Sequence, residues 1–371
     1  MKSILSVGMD VHKNSFSLCA YDGYTGEIVS ESTFASDVKL VIKFIETLKS
    51  RYENDVEIKC GYEAGCLGYS LYKSLTARGV DCVILAPTTM QVSAKNKMVK
   101  NDRMDALNIA KNLASGSYKA VYVPDEEAVE IKEYIRMIHD FKKELKRVKQ
   151  EICAFVLRHG YQYDGKSKWT IRYMNWIREL EMSEIQRETL NEYIAEMENL
   201  NDKIDRFMNR IDEMYQSERY HEKVSKLRCF KGIDTFAAMT IQVETADFER
   251  FPSAKAYASY TGLTTGEHSS GDKNNQIGIT KQGNTVIRKT LVECAQSLVK
   301  GNVYAKKSQG LKSRQKGMDV NIIAYADKAT ERLKKKYQKL IERNVPRNKA
   351  IVAVARELAC FIWGMETGNI H

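Results

Sequence analysis

The stretch Ser6-Val7-Gly8-Met9-Asp10-Val11-His12-Lys13 decides how the first part of the chain folds. The apolar residues within 4–7 predict a short buried strand that ends at a carboxylate, Asp10. A turn fits at Asn14, and the alternation of apolar and polar side chains over 15–22 predicts a second strand. An aspartate at a strand end is most often a turn or capping residue. Asp10 therefore indicates a functional site only if other acidic side chains gather near it.

The segments that follow alternate between strand and helix patterns. Apolar residues recur at every second position in some segments and at every third or fourth position in others. We predict a third strand at 26–34, a helix at 38–48, a strand at 56–63, a helix at 67–75, a strand at 82–87 and a helix at 104–113. Three strands followed by the order αβαβα are typical of ribonuclease-H-like folds. An α/β class is therefore predicted for the first part of the chain.

Two further aspartates lie in the stretch Lys100-Asn101-Asp102-Arg103-Met104-Asp105-Ala106. Asp102 and Asp105 are three residues apart, so a helix places them on one face, where their like charges repel. The positive end of the helix dipole at the N-terminus would offset part of this repulsion. Taken singly, the pair fits a structural role and a functional role equally well.

The topology predicts that four carboxylates meet. Asp10 and Glu63 end two strands that would be neighbours in this fold, and the last helix could bring Asp102 and Asp105 against them. Four clustered carboxylates require a divalent cation, and hard oxygen ligands favour Mg²⁺ or Mn²⁺. Such a metal polarises a phosphoryl group and stabilises the attacking and leaving oxygens. These four residues are the candidate metal ligands and catalytic acids.

The charge balance favours a polyanionic partner. The chain has 58 Lys and Arg residues against 48 Asp and Glu residues, which gives a formal net charge of +10. Lys97, Lys100 and Arg103 crowd the second acidic stretch, as a phosphate-bearing partner would require. The alternatives are a basic soluble protein with no such partner and, for each of these cations, a solvated charged face.

The cysteines and the apolar runs bear on the cellular setting. The eight cysteines are scattered without a C-x-x-C pair, which argues against a cysteine-rich zinc site or a disulfide framework and favours a reducing cytosol. The apolar N-terminal segment is too short for a signal peptide, and no apolar run approaches the roughly 20 residues that a bilayer requires. A cytoplasmic protein without a membrane partner is predicted.

Residues 125–225 predict long helices. Apolar residues repeat with the 4-3 spacing of a heptad seam over 134–155 and again over 190–211. The seams fit either a helical hairpin within the chain or an intermolecular coiled coil, which would form a homodimer or homotetramer. The break near 160–167 carries aromatic and lysine side chains that could stack on bases. A packed hairpin tip is the simpler explanation of these side chains.

Two patterns near the start of the last part suggest contacts with nucleic acid. Over 227–238 a helix, a Gly-Ile turn and a second helix resemble a helix-hairpin-helix element. In such an element Lys231 and the backbone at Gly232 could meet a DNA phosphate. Farther on, Lys281 and Arg288 could neutralise a phosphate. The intervening Ser269-Ser270-Gly271, judged by its own pattern, is an ordinary surface turn.

Taken together, these motifs resemble one family over nearly the whole chain and in the same order. They resemble the DEDD-type insertion-sequence transposases, the bridge-RNA-guided serine recombinases that are related to certain site-specific DNA invertases. One difference is Glu63-Ala64-Gly65, where the family usually has Glu-Ser/Ala-Thr-Gly. The matching stretches are Gly8-Met9-Asp10-Val11-His12-Lys13, Glu63, Lys100-Asn101-Asp102-Arg103-Met104-Asp105-Ala106, Lys231-Gly232-Ile233, Arg250-Phe251-Pro252-Ser253, Ser269-Ser270-Gly271 and Thr280-Lys281-Gln282-Gly283-Asn284.

The resemblance implies an architecture and a chemistry. It implies a RuvC-like DEDD domain over 1–124, a coiled-coil helical region over 125–225 and a mostly helical C-terminal transposase domain over 226–371. It also implies Mg²⁺ as cofactor, and as partners the element-end and target DNA and a structured noncoding guide RNA. The carboxylates carried over from the family are Asp10, Glu63, Asp102 and Asp105, and the nucleophilic serine is Ser270. The adjacent Ser269 is the alternative nucleophile, because the motif contains two serines in a row.

We therefore expect an enzyme that cuts and rejoins DNA at insertion-element ends through a metal-assisted serine, guided by an element-encoded bridge RNA. One alternative is a RuvC-like metal-dependent nuclease in which water is the nucleophile. Another is a non-enzymatic DNA-binding adaptor built on the coiled coil. An actin- or sugar-kinase-like ATPase also opens with a Gly-x-Asp hairpin. That fold needs a second phosphate-binding hairpin late in the chain, and no such sequence is found here.

Overall fold

The structure is a computed structural model that describes residues 3–53, 55–65, 67–91, 101–267 and 276–370. The chain separates into two compact units, Met1–Pro124 and Asp125–His371. The first unit is a sheet covered by helices, and the second is almost entirely helical. The mixed α/β and α composition that the sequence predicts is therefore observed.

The first unit is built on a five-stranded mixed sheet in the order β3-β2-β1-β4-β5. β2 runs antiparallel to both of its neighbours, β1 and β3, whereas β4 and β5 run parallel to β1. The three-strand meander followed by αβαβα agrees with the predicted order. The elements are β1 (Ser3–Val11), β2 (Ser15–Asp22), β3 (Ile28–Ala35), α1 (Val38–Arg51), β4 (Val56–Glu63), α2 (Ser70–Thr76), β5 (Asp81–Leu85) and α3 (Asp102–Ser115).

The alternation of side chains along β1 gives the sheet two different faces. Leu5, Val7 and Met9 are fully buried in the core that includes the apolar residues of α1 and α2. Residues at the even positions point to the opposite face, where α3 packs on β1 and β2. Asp10 is one of these even positions. The same period that buries the odd residues therefore directs this carboxylate towards the α3 side.

In the second unit, two long helices form an arm. The helices are α4 (Glu126–Arg158) and α6 (Glu184–Tyr215), joined through the short α5 (Ile171–Glu179), and α4 packs against α6 within the chain. Most of the predicted seam residues, such as Ile152 and Ile194, are buried. An interchain contact through the same seams would have to compete with this packing. The sequence did not predict α5, although its apolar residues Ile171, Met174 and Ile177 recur at helical spacing, because the segment is only nine residues long.

The remaining helices enclose the larger core of the second unit. This core runs from Ile131 on α4 to Met365 near the C-terminus, so it crosses position 225/226, where a domain boundary was expected. The elements are α7 (Glu218–Arg228), α8 (Thr235–Thr245), α9 (Ala254–Tyr260), β6 (Thr265–Glu267), β7 (Gln276–Ile279), α10 (Thr285–Leu298), α11 (Gln309–Gln315), α12 (Val320–Glu342) and α13 (Arg347–Glu366). Among the described residues, no helix combines the length and apolar character needed to cross a membrane.

Candidate active site

The register of the sheet brings two acidic strand ends together. β1 and β4 are parallel, and Met9 lies opposite Tyr62, so Asp10 and Glu63 follow at neighbouring strand ends. Parallel strands end at the same sheet edge, and that edge is the usual place for a site in an open α/β sheet. Glu63 is exposed, whereas the Asp10 side chain retains only 16% of its exposure.

Two glycines allow α3 to lie close above this edge. Gly8 on β1 and Gly61 on β4 are paired across the parallel ladder. A Cβ atom on Gly61 would lie 3.0 Å from the side chain of Leu113, and a Cβ on Gly8 would meet the α3 backbone. α3 therefore rests on a strip of sheet without side chains. At its N-terminus, the Asn101 side chain accepts a hydrogen bond from the Met104 amide at 2.9 Å and fixes where the helix begins.

This packing brings Asp10, His12 and Asp102 together. Their nearest ligand atoms all lie within 4.8 Å of one another. Nε2 of His12 is 3.2 Å from Oδ2 of Asp10 and 3.7 Å from Oδ1 of Asp102. The burial of Asp10 raises the pKa of its carboxyl group, and the charges of Asp102 and Asp105 raise it further, while His12 opposes them. Negative charge is therefore crowded at this point.

His12 is the residue of this cluster that the sequence reasoning did not select. It follows β1 directly, two positions after Asp10, and extended backbone places residues two apart on the same face. The spacing Asp-x-His at a strand end was the signal that could have identified it. The ring is 55% exposed, so it is accessible from solvent while it faces both carboxylates.

The other predicted residues of this region lie around the cluster or outside the described chain. Asp105 lies one turn along α3 and is half-buried; it contributes its charge to the environment of Asp10. Arg103 forms an ion pair with Glu31 on β3, at 2.5 Å between Nη2 and Oε2, so its charge is paired there. Lys97 and Lys100 lie outside the described residues.

The residues that are present fit a divalent cation. Oδ2 of Asp10 is buried and has no hydrogen-bond partner within the described part of the chain; the 3.2 Å approach of His12 is an ion contact without hydrogen-bond geometry. A buried carboxylate oxygen without a hydrogen bond is costly unless a cation occupies its lone pairs. Proteins bind Mn²⁺ through carboxylates and imidazoles, and they bind Mg²⁺ through carboxylate oxygens. The first-unit cluster is therefore a candidate metal centre.

The predicted serine loop belongs to the second unit. Ser269 and Ser270 lie outside the described residues, between the paired strands β6 and β7. The ends of this hairpin are held together by backbone hydrogen bonds, from the Thr280 amide to the Thr264 carbonyl at 2.9 Å and from the Lys281 amide to the Gly262 carbonyl at 3.2 Å. The base of the serine loop is thus a fixed structure.

The glycine of the motif Thr280-Lys281-Gln282-Gly283-Asn284 makes this base possible. Gly283 has φ of +104°, and a Cβ atom there would lie 2.0 Å from the carbonyl oxygen of Tyr260. Only glycine combines that conformation with so close an approach. Asn284 then caps α10, because its side chain accepts from the Ile287 amide at 3.0 Å.

Asn284 also joins a buried ionic cluster around Glu244 on α8. The Glu244 side chain is fully buried, and Nδ2 of Asn284 donates to its Oε2 at 2.7 Å. Arg136 on α4 holds both carboxylate oxygens, at 2.8 and 3.2 Å, and Lys132 approaches at 3.4 Å. Burial alone would raise the pKa of Glu244, but these partners lower it. The carboxylate thus joins α4, α8 and the start of α10.

The cations predicted to meet phosphate in the second unit have different environments. Lys281 is exposed, whereas Arg288 is half-buried and donates to the Thr261 carbonyl at 3.2 Å. Nζ of Lys231 donates to the Lys300 carbonyl, and burial together with a nearby lysine lowers its pKa to about 8. Gly232 has φ of +90°, and a Cβ there would lie 2.6 Å from the Cys294 carbonyl oxygen. Close packing on α10 therefore explains this glycine.

Comparisons with known proteins place these features in a family. A DEDD transposase model matches residues 7–160, and a model described as the transposase IS116/IS110/IS902 family matches residues 224–309. The protein y4qE of Sinorhizobium fredii, which carries a transposase name, is 31% identical over 97% of this chain and 87% of its own. The transposase for insertion sequence element IS1533 of Leptospira borgpetersenii is 30% identical over 92% of this chain and 97% of its own. The chain therefore belongs to the IS110/IS116 family of DEDD transposases.

Proposed function

We propose that this protein is a DNA transposase that cuts and rejoins the ends of its insertion element at a metal centre on the first unit. The observation that carries the proposal is the convergence of Asp10, His12 and Asp102 within 4.8 Å, around a buried carboxylate oxygen without a hydrogen bond. Membership of a transposase family supports DNA as the substrate. The sheet order supports a RuvC-like assignment for this unit.

In this proposal Asp10 and Asp102 hold the metal, and Glu63 and Asp105 complete the acidic site. A bound Mg²⁺ or Mn²⁺ polarises the scissile phosphoryl group and stabilises charge on the oxygens that attack and leave. The negative charges of Asp102 and Asp105 near Asp10 repel one another and attract a cation to the site. His12 faces both carboxylates and can orient them or accept a proton at Nε2, the atom that approaches Asp10.

We further propose that Ser270 is the nucleophile. Its Oγ forms a bond to phosphorus while the bond from phosphorus to a deoxyribose oxygen breaks, and that oxygen takes up the proton that the serine releases. The DNA strand is then held as a phosphodiester to the protein, and attack by another strand's hydroxyl reverses the step. The fixed base formed by residues 260–264 and 280–284 supports a loop that presents a side chain. A serine hydroxyl needs activation by a metal or a base, so this step depends on the carboxylates.

The proposal includes two partners besides DNA. The net charge of +10 supports binding of a structured guide RNA in addition to DNA. The proposed contacts to nucleic acid are Lys97, Lys100, Arg103, Lys231, Gly232, Lys281 and Arg288. A homo-oligomer is also proposed. Since α4 and α6 bury their seams against each other, its contact surface would include arm residues outside these seams.

A RuvC-like nuclease that uses water is the second candidate function. The same cluster supports it, because the metal centre alone can activate a water molecule. It differs from the first candidate in the fate of the cut strand. A nuclease releases free ends, whereas a serine recombinase retains one end as a covalent adduct.

The deciding experiment incubates the purified protein with labelled element-end DNA in Mg²⁺, with and without the noncoding RNA that flanks the element. We expect a protein–DNA adduct that survives denaturation and disappears in Ser270→Ala and in Asp10→Asn, with Ser269→Ala as the milder control. Free ends released equally by wild type and Ser270→Ala would establish the nuclease. Near wild-type strand exchange by Asp10→Asn, Glu63→Gln, Asp102→Asn and Asp105→Asn would contradict the metal centre.

A further inference from the structure

The helical arm carries a groove of about 800 Å³ that the proposed catalytic centre does not use. It lies between α4, the 159–170 connection and α5. We call it the arm groove. Among the described residues, no acidic side chain lines it. Its cationic and aromatic lining residues are Lys142, Lys146, Lys149, Lys168, Tyr161, Tyr163, Trp169, Tyr173 and Trp176.

Three lysines of the arm groove, Lys146, Lys149 and Lys168, form no ion pair within the described chain, whereas Asp234 and Glu293 offset part of the charge of the half-buried Lys142. The nearby acids Glu144 and Glu151 are both bound by Arg147 instead, at 2.6 and 2.5 Å. Lys149 lies over the ring of Trp169, with 5.4 Å between Nζ and the ring centroid. Its charge therefore sits next to an aromatic face and is directed to the groove. This arrangement is complementary to an anion with flat apolar parts.

The aromatic rings of the arm groove are held rigidly. Trp169 has φ of +66°, a backbone conformation that bulky side chains rarely adopt. Its ring packs edge-on against buried Tyr173, with centroids 5.1 Å apart. Tyr163 lies against the backbone of Gly165, where a Cβ atom would be 2.3 Å from the ring, and against Trp176 at 5.1 Å between centroids. Such strain is retained where the surroundings impose it, and it often marks a binding surface.

We propose that the arm groove binds an unpaired segment of DNA, with bases stacked on its partly exposed rings, such as those of Trp169 and Trp176, and phosphates placed on the lysines. Alternating stacking platforms and cations are how proteins bind single strands without reading their sequence. The inference rests on the proposed function, because cutting and exchange of strands expose unpaired DNA. A duplex keeps its bases stacked inside and would contact the lysines alone.

The test measures binding of a fluorescein-labelled oligothymidylate of about 15 nucleotides, close to the upper size of known single-strand sites, to the full chain by fluorescence anisotropy. Trp169→Gly removes the ring at a position whose backbone favours glycine, so the fold should be retained. We expect its affinity to fall about tenfold, which is within the range for one stacked base. Lys146→Ala combined with Lys149→Ala should lower the salt-dependence slope by about 1.4, because two phosphate contacts are removed.

The matched control is Lys143→Ala combined with Arg206→Ala, which removes two exposed arm cations outside the groove. It should bind the oligothymidylate within about twofold of wild type, since surface charge outside the site acts weakly. Unchanged affinity of Trp169→Gly and of the lysine pair would overturn the proposal, as would equal losses in the control pair. If the Trp169 and lysine variants lose affinity for oligouridylate alone, the groove binds RNA instead of DNA. If they lose affinity for a duplex equally, bases do not stack on the groove. Binding needs no cleavage, so failure of the adduct experiment would not by itself alter this result.

Discussion

A Cβ atom on Gly8 would lie 2.2 Å from the carbonyl oxygen of Ala106, so α3 rests directly on the backbone of β1. The position of Asp102 next to Asp10 depends on this approach, because Asp102 starts the same helix. A methyl group at position 8 must push α3 away from the sheet. Backbone atoms cannot yield as a flexible side chain can.

Gly8→Ala should therefore lose the metal centre as well as stability. We expect a loss of at least 1–3 kcal/mol in the free energy of unfolding, as found for overpacked cores, and loss of the thermal stabilisation that Mn²⁺ gives to wild type. Gly65→Ala is the control, because a Cβ there would make an ordinary contact with the Glu63 carbonyl oxygen, at 3.7 Å, and no closer one with the described residues beyond its chain neighbours. A Gly8→Ala protein that unfolds and binds Mn²⁺ as wild type does would show that the close approach is dispensable.

Asp10→Asn should have opposite effects on stability and on cation binding. The ionised Asp10 is partly desolvated and lies near Asp102 and Asp105, so neutralising it relieves repulsion in the metal-free protein. We expect the variant to melt at or above the wild-type temperature in EDTA, but to gain little when Mn²⁺ is added. Thermal scans in the two conditions measure this. A variant less stable than wild type in EDTA would contradict the electrostatic account.

Glu244→Gln should destabilise the second unit strongly. The change leaves Arg136 and Lys132 buried or half-buried against a neutral side chain, and breaking such a cluster costs about 3–5 kcal/mol. Glu357→Gln is the comparison, because Glu357 also holds two cations, Arg332 and Lys336, but at a more exposed site. We expect it to cost about 1 kcal/mol or less. Urea unfolding followed by circular dichroism gives both values, and equal values would refute the role of burial.

Glu366 on α13 should make stability depend on pH. Burial raises the pKa of its carboxyl group from 4.5 to about 7, against the opposing effects of Gln242 and two lysines. Because the folded-state pKa lies above the unfolded value, this contribution to stability is complete below pH 4.5 and is lost as the pH rises through about 7.

Glu366→Gln removes the ionisation while keeping the shape of the side chain. The variant should be more stable than wild type at pH 8 by an amount on the order of 2 kcal/mol, with a smaller difference at pH 5. The difference in urea midpoint between the two proteins at each pH isolates this group from other titrations. A constant difference across this range would show that Glu366 is already ionised in the folded protein at low pH.

Much of the first unit could be predicted because its sequence signals are local. The alternation of apolar and polar side chains over residues 4–22 identifies two strands, and the spacing of apolar residues in the following segments gives the order of the remaining elements. The boundaries were less accurate: the helix predicted at 67–75 begins at Ser70, and the strand predicted at 82–87 ends at Leu85. Helix and strand ends depend on caps and register, which apolar periods do not encode.

The sites were less predictable because they depend on contacts between distant residues. His12 belongs to the first sequence motif, but its role depends on the position of α3, which brings Asp102 beside it. Asn284 was read as part of a family motif, yet its contact with Glu244 spans 40 residues along the chain. Trp169 lies just beyond the predicted break near 160–167, and its left-handed backbone conformation has no sequence signal of its own.

The ionic cluster around Glu244 has a mechanical consequence. At about 1.5 Å per residue, the 33 residues of α4 make a helix roughly 50 Å long, and Arg136 lies about one third of the way along it from Glu126. The Glu244 carboxylate accepts hydrogen bonds from both Arg136 and Asn284. Asn284 is the N-cap of α10 and lies beside the serine-loop base. A load that tilts the arm must either pull this base with it or uncover a buried charge. The second course leaves buried charges without partners, which is costly, so the cluster resists tilting of α4 relative to the serine-loop base.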